Sequence, residues 1–394
     1  MKHVRVGVVG AGFLAQTRAR CWKAATGAHL AGVTAKRAER ASAFAQQHGV
    51  AQIFESFEQL IASDAVDLID LCIPNQLHRP MAVAAAEAGK HVLCTKPLTA
   101  YVGQDLGEQA SDEEIAGRDR VTMARVARAD AEAMVDAAER AGVRLFYGEN
   151  WVYAPAIVKA RALLERAGAA LLELRGWEAH SGSHSEYARS WRHTGGGALL
   201  RLGAHPIGAM LHLKRAEGLR NDGEPIRPLA VTGEVADLTR VAGVNPANLR
   251  LATGWRGVEN WGCAIIQFSD GARGVAYGSD NLLGGMESRL EIQGSNAAIR
   301  CNLSPHDLVR AYAPDAEVFG DAYIQEKLDS GAGWTTPLPD EDWSSGQLAM
   351  CQAFADALHR DVPAEADGQL GLDVTRVVYA AYVSAAEGRR VPLD

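Results

Sequence analysis

The six cysteines (Cys21, Cys72, Cys94, Cys263, Cys301, Cys351) include no CxxC pair, and several stand inside apolar runs such as LIDLCIP and HVLCTKP. That spacing gives no zinc ribbon and no disulfide framework, and it fits buried free thiols of a reducing compartment. No apolar stretch approaches the length of a membrane span, so no membrane partner is expected. The opening MKHVRVGVVGAG enters a strand pattern at once and leaves no room for a signal peptide, so the expected location is cytoplasmic. Lys and Arg are concentrated on no tail or segment, and the net charge of −8 gives no reason to expect nucleic acid. Small anionic ligands stay open, because local charges capture them.

What the sequence does have is length and glycine. Its 394 residues exceed a typical single core, which makes two domains the natural expectation. Forty glycines without a collagen-like period imply many tight turns and close backbone approaches. Over residues 1–150, short apolar runs (VRVGVVG, HLAGVT, DLIDLCIP, HVLCTKP, VRLFYGEN) alternate with alanine-rich helical patterns. This calls for a doubly wound parallel sheet with helices on both faces, an α/β arrangement. Over 151–394 one helix is followed by longer runs with period-two alternation (LLELRGWEAH, LAVTGEVADL, CAIIQFSDGARGVAYGS, SRLEIQGSNAAIRC), and the chain ends in two helical patterns. The expectation there is an α+β domain with a large open, mostly antiparallel sheet. A polar insertion at about 102–123 interrupts the first part and is longer than most connections, which run about four to six residues. It either folds over the site, contacts another subunit, or is a solvated excursion with a short helix capped near Ser111.

The clearest motif is Gly10-Ala11-Gly12-Phe13-Leu14-Ala15, which follows the first strand and opens a helix. Gly10 permits the tight turn, Gly12 lets the backbone approach a pyrophosphate, and Ala15 is small enough for helix–strand packing. The phosphates would rest on free N–H groups at the helix start. NAD sites usually carry an acid at the tip of the second strand. Here the tip reads Thr34-Ala35-Lys36-Arg37 with Arg40 one turn on, which favours NADP over NAD through a 2′-phosphate.

These features, together with Ile73-Pro74-Asn75 followed by His78, Thr95-Lys96-Pro97, Gly195-Gly196-Gly197 leading to His205, and the ending SAAEGRRVPL, resemble the Gfo/Idh/MocA oxidoreductase family over nearly the whole chain. The resemblance implies a Rossmann domain, an open-sheet second domain, and homodimers or homotetramers built on that sheet. It implies cofactor contacts at Pro74, Asn75, His78, Lys96 and Pro97 as well as at the glycine loop. It also implies that Lys96 orients the reacting hydroxyl and that His205 is the general base. Two positions depart from the family pattern: Thr95 replaces a glutamate, and Arg201 replaces an aspartate four residues before His205. The Arg201 cation is expected to depress the histidine's pKa and to hold an anionic substrate group, or else to pair with an acid elsewhere in the chain.

The resemblance also implies substrate contacts at Glu149, Asn150 and Tyr153 after the sixth strand; the donor-rich stretch with His180 and His184 suits a polyhydroxylated ligand, and Trp191, beside Arg192 before the glycines, can stack on a sugar ring. His180 and His184 form HxGxH, but no third ligand is apparent and no metal is expected. The expected activity is hydride transfer between a nicotinamide and a secondary alcohol of a sugar, sugar acid or cyclitol, an anionic one if Arg201 faces the substrate. A tightly held NAD used for oxidative elimination of a glycoside, with net hydrolysis, is the alternative, and a non-catalytic sugar or nucleotide sensor the third.

Overall fold

The computed structural model describes residues 3–107, 109–183, 185–305, 308–324, 328 and 330–393. Six strands form the first sheet: β1 (Val4–Val9), β2 (Ala28–Thr34), β3 (Gln52–Ile53), β4 (Leu68–Leu71), β5 (His91–Thr95) and β6 (Leu145–Gly148). All neighbours are parallel, in the order β3-β2-β1-β4-β5-β6. The five apolar runs read from the sequence are β1, β2, β4, β5 and β6, and β4 and β6 are buried along their whole length. The order reverses between β1 and β4, and the crevice beyond the carboxyl ends there is where such sheets bind ligands.

The second sheet holds β7 (Leu171–Ala179), β8 (Pro228–Ala236), β9 (Trp261–Phe268), β10 (Arg273–Ser279), β11 (Glu287–Gly294) and β12 (Ala298–Asn302). A small hairpin of β13 (Ala311–Ala313) and β14 (Gly333–Thr335) stands apart, and β15 (Val391–Pro392) closes one edge. The order is β12-β11-β7-β10-β9-β8-β15, antiparallel throughout except for the parallel pair β7–β10. Its inner face is covered by the helix Ala204–Asp222. A Cβ added at Gly176 of β7 would stand 2.7 Å from Pro206, so glycine there sets how closely helix and sheet pack.

The last two helices return to the first half of the chain. Gln347–Arg360 packs on Phe13–Ala24, and Phe354 stacks on Phe146 of β6 at 4.6 Å. Gly368–Glu387 lies between the helix Arg120–Arg140 and β8. Among the described residues of the insertion, none lines the cleft cavities. Its short helix Asp112–Ala116 begins in a capping box between Ser111 and Glu114, and Asp112 binds Ser190 and Arg192 rather than covering the cleft.

Candidate active site

A cleft of two adjoining cavities, 680 Å³ and 400 Å³, lies between the carboxyl ends of the first sheet and the inner face of the second. Phe13, Leu14, Asn150, Glu178, His205 and Gln347 line both cavities, which makes the cleft continuous from the glycine loop to the histidine.

At the loop, Gly10 has φ +106°, and a Cβ there would lie 2.3 Å from Cys72 O. Only glycine fits. Gly12 differs: its Cβ would meet nothing within 4 Å, so the space beside it is open. The helix Phe13–Ala24 that follows has no side-chain cap on its first amides. An open glycine and uncapped helix amides fit a pyrophosphate. Phe13 is 75% exposed over the cleft mouth. At the tip of β2, Ala35 is half-buried while Lys36 and Arg40 are exposed, and among the described residues neither side chain has an ion-pair partner.

The β4 and β5 exits are tied together by His78, whose ring lies 2.9 Å from Pro97 O and 3.1 Å from Ile73 O. His78 is fully buried, so it positions Ile73-Pro74 and Lys96-Pro97 and does not itself reach a cofactor, contrary to the expectation. Asn75 donates to Thr194 O at 2.8 Å and joins this loop to the segment before the triple glycine.

Thr95 of β5 pairs with Gly148 of β6, so the residues that follow them, Lys96 and Glu149, leave the sheet side by side. Lys96 Nζ donates to Arg201 O. That carbonyl sits in a π-helical turn, Leu199–Gly203, just before the helix Ala204–Asp222. A π turn would pair it with the amide of residue 206, which is Pro206 and has no N–H. Despite the changed winding, Arg201 and His205 both line the inner cavity. The glycines make the approach possible: Cβ atoms at Gly195, Gly196 and Gly197 would collide with Ala100, Tyr382 Oη and Glu259 O, at 2.4, 2.3 and 1.8 Å. Glu259, which the sequence did not single out, accepts from the amides of Gly197 and Leu199 and from Tyr382.

His205 is 6% exposed. Its Nδ1 lies 2.7 Å from Glu149 Oε1, its Nε2 lies 4.0 Å from Glu178 Oε1, and Trp151 stacks on the ring at 5.8 Å. Burial lowers its pKa to about 3, with Glu178 opposing and Lys96 assisting. The expected direction holds, but the cause is burial and not Arg201. Arg201 is ion-paired to the fully buried Asp280, with its guanidinium 5.6 Å from the Trp255 ring. The acid that the sequence left unlocated is therefore Asp280, and the anionic-substrate role of Arg201 is withdrawn.

The other expected substrate contacts divide. Asn150 lines the cleft and is fixed by donating to Ser345 O at 2.7 Å. His180 lines the inner cavity, accepts from Gly182 N, and lies 3.5 Å from Asp280 Oδ1. Glu149 is fully buried behind His205 and contacts no substrate space. Tyr153 is in the core, where its hydroxyl accepts from Ala366 N. Trp191 is also core: its indole N–H donates to Tyr101 O, and Arg120 covers its ring. Arg192 turns away to Asp112 and Ala110 O. His184 lies outside the described residues. Glu178 was missed. Period two in β7 gave its face, since it follows Gly176 by two, but an acid on a covered face reads from sequence as a strand end.

The two sheets, the glycine loop at the reversal of strand order and the lysine–histidine cleft define a dinucleotide-binding oxidoreductase architecture. The chain belongs to the Gfo/Idh/MocA oxidoreductase family: the model of its NAD-binding Rossmann fold matches residues 4–113, and that of its C-terminal alpha/beta domain matches residues 178–393. Inositol 2-dehydrogenase of Corynebacterium glutamicum is 43% identical over 99 residues, a stretch covering 25% of this chain and 29% of that enzyme. Levoglucosan dehydrogenase of Pseudarthrobacter phenanthrenivorans is 25% identical over 340 residues, 80% of this chain and 78% of that one. Among solved structures, GenD2 from gentamicin A biosynthesis, in complex with NAD, superposes with a TM-score of 0.79 at 26% identity, covering 100% of this chain and 97% of that one. No helix among the described residues is long and apolar enough to cross a membrane.

Proposed function

We propose that the chain catalyses reversible oxidation of a secondary alcohol on a sugar or cyclitol, using a nicotinamide dinucleotide. The observation that carries this reading is the convergence of Lys96, His205 and Glu178 on one cleft that continues to the glycine loop. Gly10, Gly12 and the uncapped amides at the start of Phe13–Ala24 would hold the dinucleotide, which when bound would supply the hydride acceptor for the carbinol carbon. Lys96, held by Arg201 O, donates to the reacting hydroxyl oxygen and steadies the negative charge that develops there. His205 Nε2 takes the hydroxyl proton; burial keeps the ring neutral and ready to accept it. Glu178 accepts a hydrogen bond from a neighbouring hydroxyl, a pattern suited to a polyol. With Arg201 engaged by Asp280, a neutral substrate fits better than an anionic one.

The cofactor reading leans to NADP, supported by exposed Lys36 and Arg40 without ion-pair partners among the described residues. The outer face of the second sheet, with Trp177 stacked on Tyr277 and Ile265 46% exposed, supports a homodimer or homotetramer formed on that face. Light scattering on the purified chain tests it, and a monomer refutes it. The activity is tested by screening neutral sugars, cyclitols and uronates with NAD and NADP, following the absorbance of reduced nicotinamide and the product mass together. Turnover of a neutral polyol with stoichiometric cofactor reduction is expected. Glycoside cleavage without net cofactor reduction would overturn the assignment.

A further inference from the structure

Residue 201 cannot assist His205 as a carboxylate would, yet the ring is not left without one. Glu149 comes from a different element, the first residue beyond β6. Its own N–H donates to Tyr147 O at 2.7 Å, a tight turn that throws its side chain toward the helix Ala204–Asp222. That helix is cut away to receive it: a Cβ at Gly208, three residues after His205, would stand 2.9 Å from Glu149 Cγ. The carboxyl is fully buried, with Oε1 2.7 Å from His205 Nδ1 and 3.1 Å from Trp151 N. Trp151 in turn stacks on the imidazole at an interplanar angle of 14°. One short segment, Glu149 to Trp151, thus clamps the ring by its edge and its face, leaving Nε2 directed to the cleft beside Glu178.

We propose that Glu149 is the positioning residue for His205 and the final holder of the substrate's proton: as Nε2 takes the hydroxyl proton, Nδ1 passes its own to Glu149 Oε1. The inference rests on the reading of His205 as the base in the proposed reaction. The atoms balance. The substrate O–H and the Nδ1–H bonds break, and the Nε2–H and Oε1–H bonds form. The carbinol C–H bond also breaks as the C=O bond forms, and its electron pair leaves with that hydrogen as the hydride that the dinucleotide of the proposed reaction would take up. Imidazole is neutral before and after and only changes tautomer, while the carboxylate becomes a carboxylic acid. In carbonyl reduction every transfer reverses.

The surroundings favour storage on the carboxyl over storage on the ring. Burial holds His205 down to about 3 and pushes Glu149 up to about 8. The charged and titratable groups facing the pair are Lys96 from the β5 exit, Arg18 from the helix Phe13–Ala24, Tyr147 from β6 and Glu178 from β7. Lys96 and Arg18 favour the carboxylate but do not outweigh its desolvation. A buried imidazolium is avoided altogether, and the neutral relay needs none.

The test uses the cofactor-free enzyme labelled with 15N-histidine, with His205→Asn identifying the resonance by its loss. Titrated across about pH 8, His205 should switch from the Nε2–H tautomer, when Glu149 is the donor, to the Nδ1–H tautomer, when Glu149 is the carboxylate, with no imidazolium. Glu149→Gln, equal in size, should abolish the switch. On the polyol found by the screen, this variant should lose about 100-fold in kcat with KM little changed, along with the alkaline rise of the oxidation rate. A single His205 tautomer across the titration overturns the proposal in the wild-type chain alone, whatever the variant does. If His205→Asn keeps full turnover, the reaction assignment falls instead, whereas a dead His205→Asn beside an unswitched tautomer removes only Glu149.

Discussion

Arg201 and Asp280 form an ion pair in which the aspartate is fully buried and the arginine side chain is 13% exposed. The two residues are 79 positions apart, and their partnership replaces the acid that the family places before the histidine with a neutralised cation. A charge so engaged is part of the cleft's wall. Removing only one partner leaves the other buried and uncompensated, a loss of about 3–5 kcal/mol. Arg201→Ala should therefore lower denaturant-measured stability by that order and depress turnover of acidic and neutral sugars alike. Arg201→Leu combined with Asp280→Leu should recover much of the stability. A selective loss on acidic sugars would restore Arg201 as a substrate clamp.

Gly12→Val separates binding from folding. The added side chain meets no protein atom in the position of its Cβ, so stability should stay within about 0.5 kcal/mol of wild type. The same side chain occupies the space beside the uncapped helix amides, and nucleotide binding by calorimetry should vanish. Unchanged affinity would mean that the loop does not hold the pyrophosphate.

The proposed lean to NADP makes the end of β2 the place to test cofactor choice. Replacing Ala35 by Asp, with Lys36 and Arg40 made neutral, removes two exposed cations and supplies an acceptor for ribose hydroxyls. Each charge-assisted contact to a phosphate contributes about 1.5–3 kcal/mol, so the NADP-to-NAD affinity ratio should fall at least tenfold. If wild type already prefers NAD by that margin, the basic tip serves solvent and not a phosphate.

What was legible in the sequence is what local pattern decides. The glycine loop, β1 to β6 apart from the two-residue β3, the alternating strands of the second sheet and the Ser111 cap all follow from neighbours a few residues apart. Lys96 and His205 were legible because motifs carry them. The partners were not. Glu149 meets His205 across 56 positions and Arg201 meets Asp280 across 79, and no periodicity encodes which buried acid faces which base. Trp191 was read as a cleft wall because an indole can stack on a sugar ring, and Tyr153 because the resemblance puts substrate contacts after the sixth strand; their polar atoms instead satisfy Tyr101 O and Ala366 N in the core. The return of the last two helices to the first half was equally invisible, since an amphipathic pattern shows that a face is buried but not against what.

The buried pair should also be visible in the stability of the whole chain. Glu149 titrates from an ordinary 4.5 up to about 8 on folding, so the folded state holds its proton over that window and stability falls as pH rises through it. His205 moves the other way, from 6.5 down to about 3, so the unfolded chain holds that proton and stability rises with pH through that window. Between about pH 4.5 and 6.5 the two slopes oppose each other. Between about pH 6.5 and 8 only the Glu149 contribution remains, with a slope of up to about 1.4 kcal/mol per pH unit. Wild type should thus lose about 2 kcal/mol relative to Glu149→Gln over that interval, because the variant has no proton to release there. Paired denaturant titrations at several pH values measure the difference and cancel the background of other groups. Parallel curves for the two proteins would mean that Glu149 is ionised in the fold throughout, with the proton on Nδ1 at every pH.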